Sequence, residues 1–157
     1  MSVEAVLAKR QSEMSGRTIS QQEADELSKA VPPSLLPAWL VNWLLTYPLV
    51  ETDFGLSEQE DNSGLGVNMK WLSPSQMISE TVEAYPGIAA ADSGYLPIGM
   101  CLEGSGDPYF LKTTTGDDPL LVRVPHEAVD AERRLREDQV EIVADRLSEF
   151  LEKVTIH

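Results

Sequence analysis

Apolar side chains recur at three- and four-residue intervals from Leu36 through Leu40, Trp43 and Leu44 to Tyr47, with Trp39 beside them, so an amphipathic helix is predicted there. Ser34 stands where a cap would and Pro37 falls in the first turn, where a missing N–H does no harm. Before it, Ser20-Gln21-Gln22-Glu23 has capping-box spacing, and Pro32-Pro33 stops the helix it starts. Ser73-Pro74-Ser75-Gln76 opens a third helix with Met77, Ile78, Thr81, Val82 and Tyr85 on one face, ended by Pro86-Gly87. Residues 49–56, 67–72, 95–102, 108–113 and 120–124 are short apolar runs separated by polar or glycine-containing turns, which predicts strands, the last three as a meander. Val140, Val143, Leu147, Phe150, Leu151 and Val154 predict a closing helix over 138–154. Val3, Val6, Leu7 and Met14 carry a weaker helical pattern, expected as a loosely attached arm over residues 1–18 ahead of a domain over 19–157. Helices and strands do not alternate as βαβ units, so the fold class is α+β: a central antiparallel sheet flanked by helices.

A chain of 157 residues with 42% hydrophobic content is one domain's worth and large enough to fold without a metal or disulfides. Charge changes the picture more. The net charge is −14, which argues against direct binding to nucleic acid or to an anionic membrane. The acids are concentrated: residues 51–107 carry ten, against a single base, Lys70. The lone Cys101 excludes an intrachain disulfide. The first residues lack the order of positive charge followed by an apolar run, and the run over 35–50 is broken by Pro37, Asn42, Thr46 and Pro48. A cytoplasmic location is therefore expected.

Catalytic chemistry has one weak candidate, a thiol hydrolase in which Cys101 is paired with His126 and oriented by Asp107. Cys101 lies between Met100 and Leu102 in an apolar run, the setting of a buried, inert thiol. His126 and His157 have no ligand spacing, and the acidic 51–61 segment lacks the alternating pattern of a calcium loop, so neither a metal nor a cofactor is expected. Gly104-Ser105-Gly106-Asp107 lacks the Lys-Ser/Thr of a phosphate cradle and is predicted to be a hairpin turn.

Taken in order, several phrases point to a known family. They are Val31-Pro32-Pro33-Ser34-Leu35-Leu36-Pro37-Ala38-Trp39-Leu40, Trp71-Leu72-Ser73-Pro74, Gly94-Tyr95-Leu96-Pro97-Ile98-Gly99 with the Gly104–Asp107 turn, Tyr109-Phe110-Leu111, Leu121-Val122-Arg123-Val124-Pro125-His126 and Leu147-Ser148-Glu149-Phe150-Leu151. The ordered set resembles the SUKH superfamily, the SMI/KNR-type domain, over residues 19–151. The resemblance implies one α+β domain that works by binding rather than catalysis. Many bacterial members are immunity proteins that neutralise a cognate toxin domain, often a nuclease. The expected partner is then a basic toxin domain, met by an acidic face. Candidate contact residues are Asp53, Glu58, Glu60 and Asp61 in one segment, with Glu103 and Asp107 at the hairpin. A regulatory interaction domain without a toxin partner is the alternative within the same class, and the Cys101 hydrolase the alternative outside it. Oligomeric state is left open.

Overall fold

The computed structural model describes residues 1–103 and 106–157. Its centre is a seven-stranded sheet in the order β6-β5-β4-β3-β2-β1-β7, every neighbouring pair antiparallel. The strands are β1 (Asp53–Leu56), β2 (Val67–Trp71), β3 (Tyr95–Cys101), β4 (Tyr109–Lys112), β5 (Leu121–Arg123), β6 (Glu141–Ala144) and β7 (Thr155–Ile156). The helices are α1 (Val3–Arg10), α2 (Gln21–Ala30), α3 (Ala38–Thr46), α4 (Pro74–Val82), α5 (Gly87–Ala91) and α6 (Leu147–Lys153). The chain is thus a single α+β domain.

The strand period of two divides the apolar side chains between two faces. On β4 and β5, Tyr109, Leu111 and Leu121 join the main core with the helices, while Phe110 and Val122 join a smaller cluster with Ala90, Tyr95, Val124 and Ala128. Leu40, Trp43 and Leu44 of α3 share the main core with Leu96 and Ile98 of β3, as the helical spacing requires. Trp39 is half-buried, its ring 4.7 Å from that of Trp43.

Both capping boxes form. Ser20 Oγ accepts from the Glu23 amide (3.1 Å) and Ser73 Oγ from the Gln76 amide (3.3 Å), with the reciprocal side-chain contacts also made. Elsewhere local rules gave way. Ser34 does not cap α3: it lies in a turn where the Leu35 and Leu36 amides both donate to Pro32 O, and Pro37 is the cap residue. Pro37 keeps Leu36 out of helical conformation, so the helix starts at Ala38, three residues after the start that a Ser34 cap would give. The 49–56 strand is confined to β1, because Glu51 adopts a left-handed φ of 70° and interrupts it. Val82 and Tyr85, expected on the buried face of α4, are exposed, and Pro86-Gly87, which ends that helix as expected, also opens the short α5.

Two larger corrections concern the ends of the chain. Residues 138–154 are not one helix: Glu137–Gln139 is a single 3-10 turn, β6 follows on the sheet edge, and only Leu147–Lys153 is helical. Val140 packs toward the smaller cluster and Val143 into the main core. Positions three apart fall on opposite faces of a strand, so the same residues that imitate a helical stripe serve both faces here. Asp118 then supplies the helix start from a distance, accepting from the Ser148 amide (2.9 Å) and hydroxyl (2.6 Å).

The N-terminal segment is not loosely attached. Val3, Val6 and Leu7 are buried, and α1 packs on α6. Arg10 Nη1 donates to Leu151 O (2.7 Å) and Val154 O (2.6 Å), satisfying carbonyls at the C-terminal end of α6. Gly16 lies so close to Val50 O and Thr52 that a Cβ would have no room, and its amide donates to Thr52 Oγ1 (2.9 Å).

Leu44 is fully buried, so Leu44→Ala should lower stability by about 2–5 kcal/mol, read as a shift of the chemical-denaturation midpoint with an unchanged m-value. A second outcome concerns pH. Hydrogen bonds from Arg17 and from the Ser20 amide hold the Glu23 carboxyl at about 2, below its ordinary 4.5. A depressed carboxyl contributes stability that is complete above its unfolded value and is lost as pH falls through its folded value. Glu23→Gln should therefore be less stable than wild type at pH 7, by under about 1 kcal/mol for so exposed a pair, and the two midpoints should converge between pH 4.5 and about 2.

Candidate functional site: an acid-rimmed cleft at one end of the sheet

Antiparallel strands send alternate connections to the same end of a sheet. The β1–β2 loop (residues 57–66), the β3–β4 connection and the segment leaving β5 therefore emerge together. A cleft of about 660 Å³ opens there. Tyr109, Arg123 and Cys101 line it from the strands, and Glu58, Leu65 and Glu103 from the connections. Leu65 is 60% exposed and Leu102, next to Glu103, 39%. The lining therefore sets the carboxylates Glu58 and Glu103 beside one projecting apolar side chain, Leu65.

A buried cation, Arg123, lies at the base of this cleft, only 4% exposed. Its Nη2 donates to Gly66 O (2.7 Å), the Tyr109 hydroxyl (3.2 Å) and Asp61 Oδ2 (3.5 Å), and its Nη1 to Ser63 Oγ (3.1 Å) and Glu141 Oε1 (3.4 Å). The guanidinium also lies over the Tyr109 ring, 5.0 Å from its centroid. Burial pushes the Tyr109 phenol above its ordinary value, against the opposing pull of Arg123, so it stays protonated at neutral pH. The 57–66 loop is shaped from within by Asp61, which accepts from the Ser63 amide and hydroxyl (both 2.8 Å), and by Gly64 and Gly66 at φ of 77° and 80°.

The six acidic candidates separate into two groups. Glu58, Glu60 and Glu103 are exposed, and Glu58 and Glu103, forty-five positions apart in the chain, line the same cleft. Asp61 and Asp107 leave the contact set. Asp61 is 4% exposed and turned onto Arg123 and Ser63, and Asp107 is 7% exposed, with its Oδ1 2.8 Å from His126 Nδ1. Short carboxylates beside a buried guanidinium or an imidazole serve those partners before they serve solvent. Asp53 starts β1 opposite Lys70, whose Nζ is 3.2 Å away, so its charge is locally neutralised. The predicted hairpin turn includes Gly104 and Ser105, which lie outside the described residues.

Of the hydrolase candidates, the structure pairs His126 with Asp107 and places Cys101 on a different cleft. Cys101 is half-buried rather than buried, lines the main cleft and donates its Sγ–H to Glu103 O. His126, with Asp107, borders a separate recess beside Tyr85 and Met100. Among the described residues, no group of three or more His, Cys, Asp or Glu side chains is placed to hold a metal ion, and no helix is long and apolar enough to cross a membrane. Arg123, the residue around which the cleft is built, has a signal in the sequence: it is the one charge in the apolar run Leu120–Val124.

Fold and cleft together describe an α+β domain with a cleft at one sheet end whose lining includes Glu58, Glu103 and Leu65. Comparison with protein-family models, with curated proteins and with solved structures finds no match.

Proposed function

We propose that this chain is a non-enzymatic protein-binding module, an immunity protein of the SUKH kind, that neutralises a basic toxin domain by seating it on the acid-rimmed cleft. The observation that carries the reading is the convergence of Glu58 and Glu103, from separate connections, on one cleft whose mouth also exposes Leu65. Protein interfaces need a partly apolar centre with a polar rim, and this surface has both. A nuclease binds phosphates with basic residues, so carboxylates presented at this mouth occupy positions that phosphates would otherwise take. The net charge of −14 adds long-range attraction, which raises the encounter rate with a cationic partner. The mechanism is steric: the toxin's cleft is covered, and no bond is made or broken. The ordered phrases of the sequence support the family part of this reading, and the distribution of exposed charge supports the choice of face.

The test is co-expression with candidate nuclease-toxin domains, beginning with any that a neighbouring gene encodes, scored for survival, followed by binding kinetics with the purified pair. Glu58→Lys, Glu60→Lys and Glu103→Lys together should slow association about tenfold or more at low salt and reduce its salt dependence. All three side chains are exposed, so the melting temperature should stay near wild type. An association rate indifferent both to salt and to the triple reversal would remove this cleft as the contact surface.

A further inference from the structure

The 57–66 loop connects two adjacent strands, β1 and β2, yet its attachments lie elsewhere. Among the described residues, three of the five hydrogen-bond acceptors of Arg123 (Asp61, Ser63 and Gly66) belong to this loop, and Arg123 sits on β5. The Asn62 amide donates to Val143 O (3.0 Å) on β6. In the strand order, β3 and β4 stand between β2 and β5. The loop therefore runs as a strap over the end of the sheet, across roughly 14 Å at about 4.8 Å per strand step. The cleft lies along this strap, and Glu58, Leu65 and Gly66 of the strap contribute to its lining together with Cys101 and Tyr109.

We propose that Arg123 is the latch of this strap: a positioning residue whose buried guanidinium holds residues 57–66 across the sheet end and so sets the placement of Glu58 and Leu65. The physical basis is the number and direction of its bonds. A planar fork with five N–H groups reaches the middle and the exit of the loop at once, and also Tyr109 and Glu141 on the sheet side. A lysine ammonium is a single point with a shorter reach and cannot span these acceptors. Within the loop, the remaining ties are short-range turns on Ser57 and Asp61, so the latch and the Asn62–Val143 bond together decide whether the strap lies down. Preorganisation of this kind lowers the ordering cost of binding. That consequence rests on the cleft being the docking surface; the latch itself does not.

The experiment uses the whole chain without a partner. Amide hydrogen exchange is followed at Asp61, Asn62 and Gly64 and at the amides of β3 and β4, in wild type, Arg123→Lys and the milder Ser63→Ala. In parallel, the rate at which Cys101, the sole cysteine, is alkylated by neutral iodoacetamide reports on opening of the cleft. Each hydrogen bond to a charged group is worth about a factor of ten in such an equilibrium. Arg123→Lys should speed exchange of the strap amides about tenfold or more and raise Cys101 alkylation, with β3 and β4 unchanged; Ser63→Ala should do the same to a smaller degree. Strap amides that exchange at the wild-type rate in both variants would overturn the latch, as would equal acceleration of every amide. If Arg123→Lys does not fold, Ser63→Ala alone decides by the same two criteria. Failure of the Glu58/Glu60/Glu103 reversal to slow association would count against the docking surface, whereas the latch stands or falls on these exchange rates alone.

Discussion

Every neighbouring pair in the seven-stranded sheet is antiparallel, and most of what matters in this molecule depends on that constraint. It returns the chain to the same end after β1, β3 and β5, so segments far apart in sequence meet there. It also leaves the edge beside β1 open to the last residues of the chain, where Phe54 and Gly55 pair with Ile156 and Thr155 of β7. The helix before β7 is held by Arg10 of α1 and by Asp118 of the β4–β5 connection, so the N-terminal helix, the sheet and the C-terminal helix form one packed unit. An arm expected from its weak periodicity to be loosely attached is instead packed on α6 and hydrogen-bonded to its C-terminal end.

Within that frame, Arg123 imposes the second constraint. A guanidinium cannot shed its proton, so where it is buried it must be surrounded by acceptors. Asp61, Ser63, Gly66 O, Tyr109 and Glu141 meet that demand, and in meeting it they draw a loop across the sheet end. Charge is thereby sorted by depth. Asp61 and Glu141 answer Arg123, Asp107 answers His126, Asp53 answers Lys70, and Glu58, Glu60 and Glu103 remain outward. Acidity concentrated over residues 51–107 of the chain is divided in three dimensions between buried partners and an outward set.

Local chemistry made much of this legible beforehand. Ser20 with Glu23 and Ser73 with Gln76 mark helix starts because a cap's partners lie within three residues, and the α3 stripe identifies its own buried face for the same reason of proximity. The meander from β3 to β5 was readable from short apolar runs between turns. The acidic segments were also visible, and two of their carboxylates, Glu58 and Glu103, do reach one cleft.

The order of residues was therefore enough to settle the α+β class, the helix starts that are capped from nearby, the buried face of α3 and the excess of negative charge. It was not enough to make residues 141–144 an edge strand rather than a helical turn, because that depends on β5 offering a free edge. Nor could it dock the first helix, because Arg10 finds its acceptors more than 140 positions away. The outward acids part from Asp61 and Asp107 only in the folded chain, since a carboxylate's exposure is set by the hydrogen-bonding partners the fold places beside it, and those partners, Arg123 and His126, lie sixty-two and nineteen positions along the chain. Hydrophobic period and capping act over a few residues and are written locally; burial, pairing and the fate of a charge are properties of neighbours that only folding brings together.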